Sequence, residues 1–485
     1  MTQVTRRTFL KSTAATSATF GLFTIAGTKA SGRVIGANER IRVGVAGIRG
    51  RGQSHINAFA KELKGENTEV TYLIDPDTRL FADRSSAVTS LGGNTPKCVK
   101  DIREALEDKN VDVITVATCN HWHSLITIWA CQAGKDVYVE KPISHNVFEG
   151  RKCVEAATKY GRVVQHGTQQ RSSVERAREI AAVQSGKYGK LVVSKGYCCK
   201  PRWSIGSKPL EAPPAELDFN IWLGPAPKQE YHANLVPYNW HWFWDTGNGD
   251  IGNQGVHEMD VARWAIKDAT LPKQVWSLGG RFGFEDQGQT PNTQMAVFDY
   301  GDALLVFEVR GLVGEKNGQP PKVANEYYTT EGVIRDSRFY RHGAGGEGEK
   351  VEGPEVDVTP GGTFGAFVRA VRSRKPQDNN ASAEVAHCSA ALCHLGNISY
   401  RLGEQVSFDR AMSSLGDSKQ VVETFNNLAE NLKATDLKLA DTKYTLGKTL
   451  AFDAKAEQFT GAGAEAANPL LSRPYREPFV VPSSV

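Results

Sequence analysis

The chain lacks the features that mark several specialised classes of protein. Its eight cysteines form no C-x-x-C pair and no zinc-ligand spacing, which excludes a sequence-evident redox motif or structural zinc site. A net charge of +4 over 485 residues gives no concentrated basic surface of the kind that binds nucleic acid. No apolar run approaches the roughly 20 residues that a stable membrane span needs. The composition is that of a globular protein.

The first thirty residues differ from the rest of the chain. Arg6 and Arg7 precede a weakly apolar stretch, Ser12 to Gly27, that is rich in alanine, threonine and glycine. This arrangement predicts a twin-arginine signal peptide over residues 1–30 and export to the periplasm or cell envelope. A chance arginine pair before a disordered tail is the alternative. Because such signals export folded proteins, the cysteines are expected to be reduced and buried.

Residues 40–166 alternate short apolar strands with helical stretches. The predicted strands are Arg42–Ala46, Glu69–Asp75, Val111–Ala117, Asp136–Glu140 and Val163–His166. Buried strands separated by helices of about 10–15 residues indicate βαβ units and a parallel sheet. The sequence therefore predicts an α/β protein that begins with a doubly wound Rossmann domain.

The pattern changes after the Rossmann region. Longer, alternating strands predict a second α/β domain over residues 167–403, with an open and mostly antiparallel sheet. A segment rich in proline and tryptophan, 201–248, interrupts it, and a helix is predicted to begin near Gly252. Residues 404–485 are polar, contain one amphipathic helix at 418–432, and are assigned to a C-terminal extension.

A glycine-rich turn follows the first predicted strand. Its candidate cofactor-binding residues are Gly47, Arg49, Gly50 and Gly52. Glycines let the backbone approach a pyrophosphate, and the free N–H groups of the following helix attract it. Asp75 ends the next strand, where a carboxylate accepts both ribose hydroxyls and repels a 2′-phosphate. These residues predict NAD, with NADP less favoured but kept open by the nearby Arg79. A turn without a ligand is the alternative.

Two polar segments end neighbouring strands of the same sheet. Thr118, Asn120 and His123 follow one strand, and Glu140 and Lys141 follow the next. Open α/β sheets bind ligands at the carboxyl ends of their strands, so both segments are expected at one crevice. The alternatives are a solvated charge pair at the second segment and helix-capping or core histidines in the first.

Further candidates lie beyond the Rossmann region. On the helix predicted near residue 252, Asn253, His257 and Asp260 fall on one stripe, so Asn253 or Asp260 is in position to orient His257. A histidine suits proton transfer because its pKa lies near neutrality. Trp203 and His241 belong to an aromatic-rich segment whose flat rings complement sugar rings. The candidate substrate-binding residues are therefore Trp203, His241, Asn253 and Asp260. Core packing is the alternative for each. No residues have metal-ligand spacing, so no metal is predicted.

The glycine turn, the Thr118-x-Asn120-x-x-His123 element and Glu140-Lys141-Pro142, in this order, resemble the glucose-fructose oxidoreductase/inositol dehydrogenase (Gfo/Idh/MocA) family. The resemblance runs from about residue 41 to 403. It implies a Rossmann domain followed by an open-sheet domain that often mediates homo-oligomers. It also implies that Lys141 lies beside the nicotinamide and contacts the reacting hydroxyl, with Pro142 a candidate for a cis peptide bond.

The same resemblance makes His257 the proton-transfer residue. Three positions depart from the family pattern: Arg49 replaces a glycine, Cys119 replaces a proline, and Asn253 replaces an acid. Because an amide cannot exchange a proton at neutral pH, Asn253 leaves that task to His257 and Lys141.

The activity implied is that of an NAD(P)-dependent oxidoreductase acting at a secondary hydroxyl of a sugar, sugar derivative or cyclitol. Export favours NAD that is tightly bound and carried with the folded protein, so that the hydride is returned before product release. A redox-neutral, NAD-dependent glycoside hydrolase that oxidises, eliminates, hydrates and reduces its substrate is one alternative. A non-catalytic sugar- or nucleotide-binding protein is another.

Overall fold

The computed structural model describes residues 39–408 and 416–485, and the predicted signal peptide lies outside this part of the chain. The strands form two sheets, one of 6 strands and one of 12. All eight cysteines are free thiols; six are buried, and Cys98 and Cys119 are partly exposed. No helix in the described residues is both long and apolar enough to cross a bilayer.

The first sheet is a parallel Rossmann sheet, as predicted. Its strands are β1 (Ile41–Ala46), β2 (Thr68–Ile74), β3 (Lys97–Val99), β4 (Val113–Val116), β5 (Asp136–Val139) and β6 (Val164–His166). Their order is β3-β2-β1-β4-β5-β6. Strands β2 and β3 are added on one side of β1 and strands β4 to β6 on the other, so the switch point lies between β1 and β4. At such a switch point the carboxyl ends of the strands open a crevice. The short strand β3 was not predicted.

Helices cover both faces of this sheet. They are α1 (Gly50–Asn57), α2 (Phe81–Gly92), α3 (Ile102–Glu107), α4 (Asn120–Gln132) and α5 (Val147–Lys159). Helix α4 is buried from Asn120 to Cys131. Its apolar residues face the Rossmann core, and the chain's C-terminal tail packs beside it, where Phe479 contacts Trp122.

The second sheet combines strands from the rest of the chain. These are β7 (Leu191–Cys199), β8 (Gln274–Gly280), β9 (Thr293–Asp299), β10 (Leu304–Arg310), β11 (Lys322–Thr329), β12 (Gly332–Arg335), β13 (Arg338–Arg341), β14 (Glu349–Lys350), β15 (Glu404–Ser407), β16 (Lys443–Leu446), β17 (Leu450–Asp453) and β18 (Gln458–Thr460). Their order is β14-β13-β12-β11-β7-β10-β9-β8-β16-β15, with β17 pairing β8 and β18. Neighbours run antiparallel except β7 and β10, so the predicted mostly antiparallel sheet is confirmed.

The helices of this region are α6 (Val174–Gln184), α7 (Phe219–Leu223), α8 (Gly249–Gly252), α9 (Gly255–Ala265), α10 (Gly362–Ser373), α11 (Ala383–Arg401), α12 (Lys419–Lys433) and α13 (Ala464–Ala467). Helices α9 and α11 pack on one face of the 12-stranded sheet, where Met259 and Leu392 meet Phe298 and Phe307. The prediction of a single helix beginning near Gly252 is wrong in one respect. The chain forms α8 and α9 with a break between them, which displaces Asn253 from the stripe of His257.

The residues predicted as a C-terminal extension, 404–485, contribute β15–β18 to the same sheet. Helix α12 lies across the other sheet face. Its apolar side chains recur at helical spacing and pack against β8, β9 and β10. They are Val421, Phe425, Leu428 and Leu432. Asn431 at the end of the helix donates a hydrogen bond to the carbonyl of Leu312, at 2.8 Å. Helix α12 thus covers part of one face of the open sheet. The resemblance implies that homo-oligomers form through the domain that contains this sheet.

Candidate functional site

A cavity of about 660 Å³ opens at the carboxyl ends of β1, β2, β4 and β5. It extends from the Rossmann sheet to the aromatic segment and to the start of α9. Twelve of the residues predicted for the site line it: Gly47, Arg49, Gly50, Asp75, Thr118, Asn120, His123, Glu140, Lys141, His241, Asn253 and His257. The crevice predicted from the strand ends is therefore one continuous cavity.

The three glycines of the turn differ in the space around an added Cβ. Gly47 has φ +79°, and a Cβ there would lie 2.5 Å from the carbonyl oxygen of Ala117. A Cβ on Gly52 would lie 1.9 Å from the carbonyl oxygen of Gly47, so Gly52 closes the turn without lining the cavity. A Cβ on Gly50 would meet no atom within 4 Å. Gly47 and Gly52 are needed for the fold, whereas Gly50 leaves open space beside the N-terminus of α1.

Two aspartates define the side of the cavity next to β2. Asp75 accepts the N–H of Ile48 at 3.0 Å and that of Asp77 at 2.9 Å, one on each carboxylate oxygen. Burial raises the pKa of Asp75 to about 6, against the lowering effect of these two hydrogen bonds. Asp77 binds Arg49 at 2.7 Å and Arg79 at 2.7 and 2.8 Å. The two arginines on this side of the cavity, Arg49 and Arg79, are therefore paired with the same carboxylate.

Glu140 is a buried structural anion at the base of the cavity. Arg51 donates to its Oε1 at 2.7 Å, and His55 Nε2 lies 3.3 Å from the same atom. Burial alone would raise the pKa of Glu140, but His55 and Arg51 together hold it well below its usual range. Neither Arg51 nor His55 was predicted from sequence. The alternative of a solvated pair at Glu140–Lys141 is wrong, because Glu140 is 4% exposed.

Lys141 lines the cavity and follows Glu140 directly. Its Nζ donates to the backbone oxygen of Asn253 at 2.8 Å and to the side-chain Oδ1 of the same residue at 3.1 Å. Asn253 in turn donates to Asp250, which Arg202 binds at 2.9 Å. Burial lowers the pKa of Lys141, while Glu140 and Asp250 act in the opposite direction. The Lys141–Pro142 peptide is cis.

Two histidines face this lysine from the second domain. No described residue hydrogen-bonds to the ring of His257, which lies in the first turn of α9. Burial lowers the pKa of His257 to about 3, and the charge of Lys141 acts in the same direction. His241 has Nδ1 2.6 Å from the carbonyl oxygen of Tyr238, and burial lowers its pKa to about 3. The neutral ring donates from Nδ1, which leaves Nε2 as an acceptor.

The segment after β4 contains residues that line the cavity and also bond to other parts of the protein. His123 lies with Nδ1 2.6 Å from the carbonyl oxygen of Pro142 and Nε2 3.1 Å from that of Thr118. Burial lowers the pKa of His123, so the neutral ring donates its one N–H to one of these two carbonyls, at the ends of neighbouring strands. Asn120 lies at the start of α4 and donates to Asn248, at 3.4 Å. His123 is thus both a cavity residue and the buried core histidine weighed in the sequence analysis.

Two predicted substrate residues lie elsewhere. Asp260 is fully buried and accepts two hydrogen bonds from Arg171, at 2.9 and 3.0 Å, and one from Ser389 at 2.6 Å. It shares helix α9 with His257, but its carboxylate is held by Arg171 and Ser389 and makes no hydrogen bond to the His257 ring. Trp203 packs with the cluster on the α12 side of the second sheet, with Lys316 over its ring.

Several cavity residues were missed by sequence reasoning. Trp222, Ile221 and Leu217 form one wall, and Tyr238 and Gln254 line the side next to His241 and Asn253. The dense aromatic segment signalled Trp222, but four of its rings pack into one buried cluster, Trp222, Trp240, Tyr231 and Phe243. Core packing, given above as the alternative, accounts for these four rings.

Comparison with known proteins agrees with this geometry. Residues 41–168 match the profile of an oxidoreductase family with an NAD-binding Rossmann fold, and residues 181–280 match that family's C-terminal α/β domain. The myo-inositol 2-dehydrogenase of Thermotoga maritima is 31% identical over 317 residues, covering 62% of this chain and 81% of the relative. Glycosyl hydrolase family 109 protein 2 of Shewanella sp. (strain ANA-3) is 26% identical over 222 residues.

The extent of these matches varies. The Shewanella alignment covers 41% of this chain and 47% of the relative, so the chain spans about half the length of several curated relatives it matches. Among solved structures, the WlbA dehydrogenase of Bordetella pertussis in complex with NADH and UDP-GlcNAcA is 17% identical, with a TM-score of 0.57. That match covers 75% of this chain and 97% of WlbA, and it supports the two-domain fold. By its domains and its relatives, the chain belongs to the Gfo/Idh/MocA oxidoreductase family.

Proposed function

We propose that this protein is an NAD(H)-dependent oxidoreductase that transfers a hydride at a secondary hydroxyl of a sugar, sugar derivative or cyclitol. One observation carries the proposal: Lys141, held by two oxygens of Asn253, shares a cavity with the glycine turn and Asp75. A volume of about 660 Å³ falls within the range of small-molecule sites. The name of the Thermotoga relative, a myo-inositol 2-dehydrogenase, supports a polyol substrate.

The residues around the glycine turn fit a dinucleotide. No side chain caps the N-terminus of α1, so its N–H groups remain available for a pyrophosphate. Gly50 leaves the space that such a group would enter. Each oxygen of Asp75 already accepts one N–H and retains a lone pair for a ribose hydroxyl.

The same region favours NAD over NADP. Asp75 would repel a 2′-phosphate, because both are anions. Arg49 and Arg79, the cations best placed to neutralise that phosphate, are both paired with Asp77. Binding NADP would require at least one of these pairs to break.

In the proposed reaction Lys141 is the base. Bound NAD supplies the nicotinamide carbon that accepts and returns the hydride. Burial lowers the pKa of Lys141, which increases the neutral fraction able to take the hydroxyl proton. Asn253 orients Nζ and carries no proton itself. His257 holds an abstracted proton poorly because its pKa is about 3, so it stays neutral and orients the hydroxyl by donating its ring N–H to the hydroxyl oxygen.

Two glycine variants test the cofactor site. Gly50 and Gly65 both have open space around an added Cβ, but only Gly50 lines the cavity. In titrations that follow NADH fluorescence, we expect Gly50→Ala to weaken binding by about tenfold or more, since a lost hydrogen bond to a charged group costs about 1.5–3 kcal/mol. Gly65→Ala should bind as the parent does. Equal affinities in the two variants would contradict the proposal.

Turnover separates the candidate activities. A dehydrogenase should reduce added NAD with a member of a panel of cyclitols and hexoses, and Lys141→Met should abolish this while NADH affinity is kept. The similarity to a glycosyl hydrolase family 109 protein supports a second candidate, a redox-neutral glycosidase. That enzyme would release free sugar from an aryl glycoside without added NAD. NADH binding with neither activity would favour a binding protein.

We also propose that residues 1–30 direct export through the twin-arginine route, on the strength of Arg6, Arg7 and the weakly apolar stretch that follows. Fusion of residues 1–38 to a reporter that is active only after export tests this. We expect export from the parent fusion and none after Arg6→Lys with Arg7→Lys, because the route reads the arginine pair. Equal export from both fusions would contradict it.

A further inference from the structure

One wall of the cavity is a segment of the second domain that crosses to the Rossmann domain. We call residues 216–224, which contain α7, the strap. At one end, the N–H of Thr78 donates to the carbonyl of Glu216 at 3.1 Å, and the N–H of Asp218 donates to that of Pro76 at 2.9 Å. Between these bonds Leu217 is buried and lines the cavity. The strap is therefore bonded to the loop that carries Asp75 and Asp77.

At its other end the strap is bonded to α4. The indole N–H of Trp122 is shared between the carbonyls of Ile221 and Trp222, at 3.0 Å each. Gly224 ends the strap against the same ring, since a Cβ there would lie 2.2 Å from the Trp122 side chain. The strap thus spans the crevice from the β2 side to α4, and its Ile221 and Trp222 side chains face the cavity.

The C-terminal tail holds the strap from outside. Arg476 donates to the Oδ1 of Asn220 at 2.7 Å and to the backbone oxygen of the same residue, and its Nε donates to the carbonyl of Ala226 at 3.2 Å. Arg476 also lies over the ring of Phe479, which packs edge-on against Trp122 with ring centroids 5.4 Å apart. The strap is therefore clamped between α4 and the tail.

The tail is itself anchored to the Rossmann domain. Tyr475 donates to the Oε1 of Glu149 at 3.1 Å, and Arg473 lies 3.3 Å from the same oxygen. Phe479 and Val481 are buried in the core beside α4. The tail therefore cannot follow an outward movement of the strap unless these contacts break as well.

We propose that the C-terminal tail is a latch, with Arg476 as its positioning residue, that keeps the strap closed over the bound dinucleotide and so slows cofactor release. The inference rests on the proposed NAD(H) site. With the strap bonded at both ends, a cofactor between it and the glycine turn has a wider exit only after local opening of the strap. Opening breaks the bonds of Arg476 to Asn220, which makes release slow without changing the contacts of the bound cofactor.

Two arginines that flank one ring provide a matched test. Arg103 and Arg476 both lie over Phe479, but only Arg476 bonds the strap. The full-length protein is loaded with NADH and mixed with excess NAD, and release is followed by loss of energy transfer from tryptophan to the reduced nicotinamide. We expect Arg476→Gln to speed release by about tenfold or more, because its lost hydrogen bonds involve a charged donor. Arg103→Gln should match the parent.

A double-mutant cycle with Asn220→Ala makes the test specific to the strap contact. Asn220→Ala should also speed release, and adding it to Arg476→Gln should have less than its separate effect, since the two residues share one interaction. Three outcomes would overturn the latch: unchanged release in Arg476→Gln, equal acceleration in Arg103→Gln, or full additivity in the cycle. If the parent protein still bound NADH in these experiments, the proposed cofactor site would stand. Failure of the parent protein to bind NADH would overturn both.

Discussion

Replacement of Asp260 by asparagine should destabilise the second domain strongly and leave cofactor binding unchanged. The carboxylate side chain is 1% exposed and is bound by Arg171, whose side chain is 9% exposed, and by Ser389. Asparagine keeps the shape but removes the charge, so the guanidinium of Arg171 stays buried without its counterion. Removing one partner of a buried ion pair costs about 3–5 kcal/mol.

This loss of stability should lower the melting temperature of Asp260→Asn. For a domain of about 150–250 residues, each kcal/mol corresponds to a shift of about 2–4 °C, so the melting temperature should fall by roughly 6–20 °C. Differential scanning calorimetry measures this, with Asp302→Asn as a control, because Asp302 pairs with Lys190 on the surface, at 3.3 Å. NADH affinity should be unchanged in both variants.

The same variant separates a structural role from a substrate contact. Burial alone would raise the pKa of Asp260, but Arg171 lowers it overall. Its stabilising contribution should therefore be present above the ordinary aspartate pKa and be lost as the pH falls through the lowered value. If Asp260→Asn melts within about 2 °C of the parent, a shift too small for a lost buried ion pair, and yet impairs turnover, the assignment to Arg171 is refuted.

Three further predictions address other parts of the molecule. Asp77→Asn should raise affinity for NADP(H) relative to NAD(H), measured by parallel fluorescence titrations, because Arg49 and Arg79 lose their shared counterion; an unchanged ratio would contradict the role given to Asp77. Asn253→Asp should move the ascending limb of the pH–rate profile to higher pH by about 1–3 units, since a carboxylate about 3 Å from Lys141 Nζ raises the pKa of the base. A shift to lower pH would exclude Lys141 as the base. Phe425→Ala should lower the free energy of unfolding by about 3–5 kcal/mol in urea titrations, because the ring is buried between α12 and the sheet; a change near zero would show that α12 does not pack as described.

The Rossmann half could be predicted because its signals are local. Each βα unit contains an apolar run, a turn and an amphipathic stretch, and each binding residue follows a strand directly. Lys141 and Asp75 therefore needed only the rule that the carboxyl ends of parallel strands share one edge. The α/β fold and the crevice followed from these patterns.

The contacts of the second domain depend on partners distant in sequence. Asp260 was predicted to orient His257 because both fall on one stripe of the predicted helix. Both do lie in α9, but the carboxylate of Asp260 is bound by Arg171 and Ser389. Arg171, which binds it, lies 89 residues earlier and outside that helix. The strap was missed for the same reason, since residues 122 and 476 hold it from separate elements.

Helix α12 has a consequence for how stability depends on protein concentration. In a protein whose sheet face is covered by a second copy, burial of that face is an association step, so dilution weakens it. Here the side chains over β8, β9 and β10 belong to the same chain, and their local concentration is fixed by the connection between α12 and the sheet. The protection of this part of the face should survive dilution.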